Sequence, residues 1–257
     1  MLGKKIATRD AYGDALVELG RENPDVVVLD ADLSASTRTS KFAAQFPERF
    51  FQMGIAEQDM MGTAAGLAAA GKIPFASTFA MFATGRAYDQ VRNSIGYPGL
   101  NVKIGATHAG LTVGEDGATH QALEDIALMR AIPGMTVIVP ADYVEAVQAV
   151  KAAAAHVGPV YLRFTRGGVP VVFGADYKFQ LGKAALLRDG QDATIIACGV
   201  MVSAALEAAE ALAGEGLSIR VLNMGTIKPL DEEAVVRAAR ETGAIVAAEE
   251  HSIIGGL

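Results

Sequence analysis

The stretch QMGIAEQD, from Gln52 to Asp59, contains a carboxylate, Glu57, in a largely small and apolar part of the chain. Glu57 follows a glycine, an apolar residue and an alanine, and MMGTAAGLAAAG comes soon after it. An acid in the first turn of a helix interacts favourably with the helix dipole and stabilises the helix by ~0.3 to 1 kcal/mol. This stabilisation explains an exposed acid but not a buried one. Because a buried carboxylate needs a specific partner, Glu57 is a candidate for proton exchange with a ligand nitrogen.

A second group of polar residues lies in the glycine-rich stretch ATHAGLTVGEDGATHQ. It follows a predicted strand and carries His108, Glu115, Asp116 and His120. A structural loop needs glycine for its turns but does not need so many donors and acceptors, which suit a polyhydroxylated ligand. Zinc is the alternative, but the spacing between the two histidines matches none of the usual zinc patterns, so we predict no metal site in this chain.

Further polar residues lie where parallel strands are expected to begin or end: Arg9 in ATRD, Asp32 and Ser36 in DADLSAS, and Arg166 in FTRGG. Strand ends in open α/β sheets are where ligands bind, and arginine with serine and histidine suits a phosphate. Each residue taken alone is compatible with an ordinary solvated side chain.

Two aromatic residues in STFAMF, Phe79 and Phe82, are three positions apart and would share one helical face if this segment is helical. Aromatic pairs at that spacing more often belong to a core than to a cofactor platform. The sequence contains no Walker, dinucleotide or glycine-aspartate-glycine fingerprint that would anchor a diphosphate.

Apolar, β-branched runs alternate with helical patterns along the chain. Strands are predicted at DVVVLD, NVKIGATH, MTVIVP and VYLRF, and helices near Asp10 to Arg21, from Glu57 onward and over DYVEAVQAVKAAAAH. Strands that are apolar on both faces and separated by helices indicate a largely parallel sheet covered on both sides. The sequence therefore predicts an α/β fold with the architecture of an α/β/α sandwich.

A smaller α/β unit is predicted after a connection. The stretch 168–180 contains proline and glycine without a helical period, which suits a linker between a first domain at 1–167 and a second at 181–257. In the second unit we predict strands at AALLR, ATIIACG, SIRVLNM and AIVAAEE, with helices around Ser203 to Leu212 and Asp231 to Thr242. The chain stops at EEHSIIGGL, where another helix would normally begin, so we expect this unit to be truncated.

Composition excludes several classes of protein. The 257 residues are 51% hydrophobic and 20% charged, which suits a globular core. A net charge of −7 argues against nucleic-acid binding. The lone cysteine, Cys198, cannot form an intramolecular disulfide and fits a reducing, cytoplasmic setting. With neither a signal-peptide pattern nor an apolar run of about 18 residues, we expect no secretion and no membrane span.

Five motifs, GIAEQD, STFAMF, VGEDGATHQ, PAD at Pro140 to Asp142 and FTRGG, resemble in this order and spacing the pyrimidine-binding domain of transketolases. The resemblance runs from about Arg9 through Arg166 and implies the thiamine-diphosphate-binding fold. The second unit resembles the start of the transketolase C-terminal domain. Since the sequence has no counterpart of the family's first domain, which holds the cofactor's diphosphate, the chain resembles the C-terminal subunit of a split, two-polypeptide transketolase.

The resemblance implies roles at the cofactor. Glu57 matches the glutamate that contacts N1′ of the thiamine pyrimidine and takes part in its proton transfer. Phe79 and Phe82 match aromatics that pack on this ring, and Asp32 matches a residue near the cofactor. The position of a third family aromatic is Gly85 here, which leaves open how the ring pocket is closed.

The resemblance also implies roles at the substrate. Asp116 and His120 match residues that contact the sugar hydroxyls, and with Glu57 they are the predicted catalytic residues. Gly110 replaces a polar residue of some relatives. The predicted substrate-phosphate residues are Arg9, Ser36, His108 and Arg166.

The implied reaction transfers a two-carbon ketol unit from a ketose phosphate to an aldose phosphate, as in the non-oxidative pentose phosphate pathway. The resemblance also implies thiamine diphosphate as cofactor, with Mg²⁺ or Ca²⁺ bound by an N-terminal transketolase subunit. We expect a homodimer of this chain alone and a heterotetramer with that partner.

Three alternatives stay open. Deoxyxylulose phosphate synthase shares GIAEQ and AYDQV, but it typically has arginine at the position of His108. The beta component of a 2-oxoacid dehydrogenase has no need of the sugar-phosphate residues. A catalytically silent interaction module would keep the fold without the reaction.

Overall fold

The structure is a computed structural model and describes residues 2–257. In chain order its strands are β1 (Lys5–Ala7), β2 (Val26–Asp30), β3 (Phe50–Gln52), β4 (Ile73–Phe79), β5 (Lys103–Thr107), β6 (Thr136–Ile138), β7 (Val160–Arg163), β8 (Gly168–Pro170), β9 (Ala185–Arg188), β10 (Ala193–Ala197), β11 (Ile219–Asn223), β12 (Thr226–Lys228) and β13 (Ile245–Ala248).

The α-helices are α1 (Thr8–Glu22), α2 (Ser34–Thr37), α3 (Ser40–Gln45), α4 (Glu57–Ala69), α5 (Tyr88–Gln90), α6 (Asp125–Ala131), α7 (Tyr143–Ala155), α8 (Met201–Ala213) and α9 (Glu232–Glu241). Shorter turns are 3₁₀-helical at Pro47–Arg49 and Leu111–Asp116 and π-helical at Phe82–Arg86 and Val91–Gly96. Aspartates begin α7 and α9 as predicted from their sequences: Asp142 and Asp231 accept hydrogen bonds from backbone N–H groups of the first turns.

A seven-stranded sheet with the order β12-β6-β7-β5-β4-β2-β3 forms the centre of the larger unit. Every pairing in it is parallel except that of β12 with β6. Strands such as β2 and β5 are buried along their whole length, because helices cover both faces of the sheet. The predicted α/β sandwich, with a smaller α/β unit after it, is confirmed.

The parallel strands β7, β5, β4, β2 and β3 are consecutive neighbours in the sheet, so their carboxyl ends lie along one edge. The chain leaves these five ends toward Arg166, His108, Phe82, Asp32 and Glu57, respectively. Arg9 joins the same edge because Thr8, at the start of α1, is held by Thr165, whose N–H donates to Thr8 Oγ1 at 2.8 Å.

The two units are interlocked. The second has its own four-stranded sheet, β13-β10-β11-β9, yet its β12 completes the edge of the seven-stranded sheet beside β6. Apolar residues of both units, including Ile104 and Leu222, belong to one hydrophobic cluster. The predicted linker 168–180 also contains structure, because β8 pairs antiparallel with β1 at the start of the chain.

Candidate active site

Glu57 is the first residue of α4 and its side chain is only 1% exposed. The predicted burial of this acid is therefore observed. Both carboxylate oxygens lie 2.9 Å from Nη1 of Arg86. A buried carboxylate at the positive end of a helix is thus neutralised by one guanidinium rather than left without a partner.

Arg86 is a site residue that the sequence reasoning missed. It ends the π-helical turn Phe82–Arg86, and its guanidinium carbon lies 4.4 Å from the centre of the Phe82 ring. Its side chain is 46% exposed, in contrast to that of Glu57. Gly85 occupies the position at which the family pattern has a third aromatic. The arginine directly after it was the signal in the sequence that could have indicated this residue. Tyr88, the first aromatic residue after Gly85, does not line the pocket beside Glu57. It points toward α6, with its hydroxyl 3.5 Å from the Leu128 carbonyl oxygen.

A pocket of about 300 Å³ opens beside Glu57. Its walls are mainly apolar, with a single buried carboxylate at one side, and such a surface fits an aminopyrimidine ring that offers one ring nitrogen. Asp32 lies at its rim with a backbone φ of +63°. The residues that line it are Ala31, Asp32, Leu33, Ile55, Glu57, Phe82 and Arg86.

Phe79 and Phe82 do not share a helical face, because the segment that contains them is not a single helix. Phe79 is the last residue of β4, and Phe82 begins the π-helical turn. Their rings nevertheless stack, with centroids 5.8 Å apart and planes 13° from parallel. Only Phe82 lines the pocket, while Phe79 supports it from behind.

Asp30, at the end of β2, organises the turn that carries Asp32 and Ser36. Its carboxylate accepts hydrogen bonds from the Leu33 N–H at 2.6 Å and from the hydroxyls of Thr37 and Thr39 at 2.7 and 2.8 Å. Burial raises the pKa of Asp30, and these bonds offset part of that effect. Sequence reasoning placed Asp30 only within a strand and missed this role.

Arg9, Ser36 and His108 meet at the sheet edge although they are far apart in sequence. Arg9 Nη1 donates to the Ser36 carbonyl oxygen at 2.9 Å and lies 3.2 Å from His108 Nε2. Arg9 Nε is buried without a hydrogen-bond partner in the described part of the chain. A donor left without a partner is consistent with a site that receives an anion.

His108 is neutral in this setting. Burial, together with the nearby cations Arg9 and Arg166, lowers the pKa of His108 to about 3. Because Arg9 can only donate, His108 Nε2 accepts, and Nδ1–H donates to Thr107 Oγ1 at 2.8 Å. His108 is also one of the non-glycine residues with a positive φ, at +59°.

Arg166 approaches the same cluster from the end of β7 and holds the 3₁₀ helix Leu111–Asp116. Its Nη1 donates to the Val113 carbonyl oxygen at 2.8 Å, and its Nη2 forms an ion pair with Glu115. Its Nε lies 3.9 Å from an Asp116 carboxylate oxygen. The structure therefore places Arg166, a predicted phosphate residue, beside Asp116, a predicted hydroxyl-contacting residue.

His120 connects the two groups of predicted residues. Its ring meets Phe82 edge-on at 5.3 Å and Phe79 at 6.2 Å. Phe79 in turn stacks on His108, with ring centroids 3.8 Å apart. A continuous path of rings thus leads from the pocket at Glu57 to the cations at Arg9 and Arg166.

Asp142 and His251, which lie in the motif PAD and in the final stretch EEHSIIGGL, have structural roles. Asp142 of PAD caps α7 and also accepts hydrogen bonds from the N–H groups of Val172 and Phe173, both at 2.8 Å. His251 accepts from the Ala127 N–H at 3.3 Å and so joins the second unit to α6. Among residues 2–257 no group of three or more histidine, cysteine or acidic residues could hold a metal ion, and no helix is long and apolar enough to cross a bilayer.

A buried glutamate beside a ring-sized pocket, at the carboxyl edge of a parallel sheet, defines a pyrimidine-binding domain of the thiamine-diphosphate-dependent class. The family model "Transketolase, pyrimidine binding domain" matches residues 4–171, and "Transketolase, C-terminal domain" matches residues 182–257. The chain belongs to the transketolase family and is a transketolase subunit.

Individual relatives agree with this assignment. The provisionally named transketolase C-terminal section of Methanocaldococcus jannaschii is 53% identical over 97% of this chain and 78% of its own. A 6-deoxy-6-sulfo-D-fructose transketolase subunit of Clostridium sp. (strain MSTE9) is 49% identical over 97% and 77% of the two chains. A solved structure described as "Split gene transketolase, inactive beta4 tetramer" superposes with a TM-score of 0.92 at 61% identity, covering 99% of this chain and 83% of that one.

Proposed function

We propose that this chain supplies the pyrimidine side and the substrate-anion side of a transketolase active site. An N-terminal partner subunit completes the site by binding the cofactor's diphosphate through Mg²⁺ or Ca²⁺. The observation that carries the proposal is the buried Glu57 beside a mainly apolar pocket of about 300 Å³, joined by stacked rings to a cluster of cations.

At the cofactor end, thiamine diphosphate supplies, when bound, the carbon nucleophile that takes up the two-carbon unit. Glu57 exchanges a proton with the pyrimidine nitrogen N1′, because a carboxylate 1% exposed is shielded from water and keeps that proton within the site. Phe82 forms the apolar wall, Phe79 supports Phe82, and Asp32 lies at the rim of the pocket.

At the substrate end, Arg9, Ser36, His108 and Arg166 hold the anionic group of the sugar. Arg9 supplies charge and an unpaired N–H, while the neutral His108 holds the Arg9 guanidinium through Nε2. Asp116, whose carboxylate lies 3.9 Å from Arg166, and His120, whose ring meets Phe82, contact the sugar hydroxyls. The substrates are a ketose and an aldose phosphate; since one relative is named for a sulfo sugar, a sulfonate is the alternative anion to test.

We also propose that copies of this chain associate through the outward face of α4. At Gly62 and Gly66 a Cβ atom would meet only open space, so this face can be approached closely by another helix. The similar split-gene structure is described as an inactive tetramer, which fits a chain that needs a partner.

The test is reconstitution. We expect the purified chain with thiamine diphosphate and Mg²⁺ to show no ketol transfer from xylulose 5-phosphate to ribose 5-phosphate, and to gain it when an N-terminal transketolase subunit is added. Activity of the pure chain alone would refute the split-site proposal. Inactivity with a partner proven to form the complex would instead favour a silent module.

A further inference from the structure

Glu250 of the second unit reaches across to the loop that carries the substrate residues. Its Oε1 accepts a hydrogen bond from the Thr112 backbone N–H at 2.5 Å, and Glu250 is 7% exposed. Thr112 lies in the 3₁₀ helix Leu111–Asp116, which ends at the predicted substrate residue Asp116. This is a contact between residues 138 positions apart in sequence.

The beginning of this loop is shaped around the same carboxylate. Gly110 has a φ of +82°, and a Cβ atom built on it would lie 2.2 Å from Glu250 Cδ. Only glycine permits both the backbone conformation and the close approach. The glycine that the sequence shows in place of a polar residue is therefore explained by the position of Glu250.

The backbone of Glu250 is itself held by Arg163, whose charge also lies near the carboxylate. Arg163 Nη2 donates to the Glu250 carbonyl oxygen at 2.9 Å, and Arg163 Nη1 lies 3.9 Å from Glu250 Oε2. Arg163 is fixed by Asp125 through bonds of 2.8 and 3.2 Å, and Tyr161 donates to the same Asp125 carboxylate at 2.7 Å. Arg163, Asp125 and Tyr161 are buried, so this network has little freedom to rearrange.

We propose that Glu250 is a positioning residue for the substrate loop. It fixes Thr112 from the side of the second unit, while Arg166 fixes the Val113 carbonyl oxygen from the end of β7. Two anchors on adjacent residues determine where the loop places Asp116. The second unit thereby contributes to ketol transfer without touching the substrate, an inference that rests on the proposed function.

The test compares Glu250→Ala with Glu249→Ala and Glu250→Gln. Glu249 is a matched control because it is the neighbouring acid and its carboxylate accepts from the Leu257 N–H at 2.7 Å instead. Hydrogen–deuterium exchange of the isolated chain should show the Thr112 amide exchanging about tenfold faster in Glu250→Ala. Glu250→Gln keeps an acceptor oxygen and should restore most of the protection.

In the reconstituted enzyme, Glu250→Ala should lower kcat/KM for the phosphorylated donor about tenfold to a hundredfold, because a loop misplaced by about 1 Å weakens transfer on that scale. Thiamine diphosphate affinity should stay unchanged, since the pocket at Glu57 lies outside the loop. A merely structural role would not confine the effect to amide protection in the loop and to the rate of ketol transfer.

Exchange of the Thr112 amide at the wild-type rate in Glu250→Ala would overturn the proposal. An equal effect of Glu249→Ala, or a parallel loss of cofactor affinity, would also overturn it by indicating general loosening. If the wild-type mixture shows no ketol transfer, the proposed function fails, whereas the exchange comparison still decides whether Glu250 holds the loop.

Discussion

The pocket at Glu57 and the cation cluster at Arg9 use buried charge in different ways. Glu57 is almost fully buried and has one charged partner, Arg86, which is half exposed. In the cluster, burial together with the nearby cations Arg9 and Arg166 lowers the pKa of His108, and Arg166 is also paired with acids of the loop. The pocket thus depends on one group, whereas the proposed anion site distributes its charge among several.

This difference teaches where single substitutions should matter. A buried proton-exchange group has no substitute nearby, so its loss affects the chemical step. An anion held by several donors loses only part of its binding energy when one donor is removed, so the effect falls on KM.

The largest effect is expected for Glu57→Gln in the reconstituted enzyme. Glutamine keeps the size of the side chain but cannot exchange the proton, so kcat should fall by about 10² to 10⁴ with little change in the KM of the phosphorylated donor. Asp59→Asn, an exposed acid of the same helix, is the control. Near-normal turnover in Glu57→Gln would reduce the acid to a favourable helix start.

A smaller effect is expected for Arg9→Ala. Removing one charged donor should raise KM for a phosphorylated ketose by about tenfold to a hundredfold, with a lesser change in kcat. Arg21→Ala, on the same helix and bonded to Gln45 at 2.7 Å, should leave KM unchanged. Steady-state assays with phosphorylated and unphosphorylated ketoses test whether the change in KM comes from the anionic group. An equal loss with both substrates would contradict anion binding by Arg9.

The pairing of Arg86 with Glu57 can be measured in the isolated chain. Arg86→Met leaves a buried carboxylate without its cation, and because water can reach the place of the half-exposed arginine, we expect a loss of about 1 to 3 kcal/mol in the free energy of unfolding by urea. The exposed Arg92→Met is the control. In a Glu57→Gln background the loss should largely vanish, and an undiminished loss there would show that Arg86 stabilises the chain in another way.

The remaining expected effect concerns pH. The pKa of His108 is about 3 in the folded chain, below its ordinary value of 6.5. Between those values the unfolded chain binds a proton that the folded chain does not, so His108 makes the free energy of unfolding fall as pH drops from 6.5 toward 3. His108→Gln should make this slope shallower by up to one proton in urea titrations across that range. Parallel wild-type and variant slopes would contradict a neutral, buried His108.

Much of the fold could be predicted from local sequence. Runs such as DVVVLD are buried strands in the structure, and the helices predicted at Glu57 and after Asp142 are present, because hydrophobic period and capping are local properties. The arrangement of Phe79 and Phe82 could not be predicted from their spacing alone, because it depended on whether the segment is helical, and the chain changes from strand to turn between them.

The candidate site could be predicted in part. Residue types at strand ends indicated an anion site, and the structure brings Arg9, His108 and Arg166 together as expected. Arg86 and Glu250 were missed, because the residues next to a charged residue in sequence do not show which distant group it will contact.

The sequence by itself indicated the central strands, the main helices and the burial of Glu57, and it contains Gly110. The tertiary structure decided which polar groups meet: Glu57 with Arg86 across 29 positions, Arg9 with His108 across 99, and Thr112 with Glu250 across 138. The physical reason is that backbone conformation and hydrophobic period are set by neighbouring residues, whereas a buried charge is satisfied only by a group that the packed sheet carries to it.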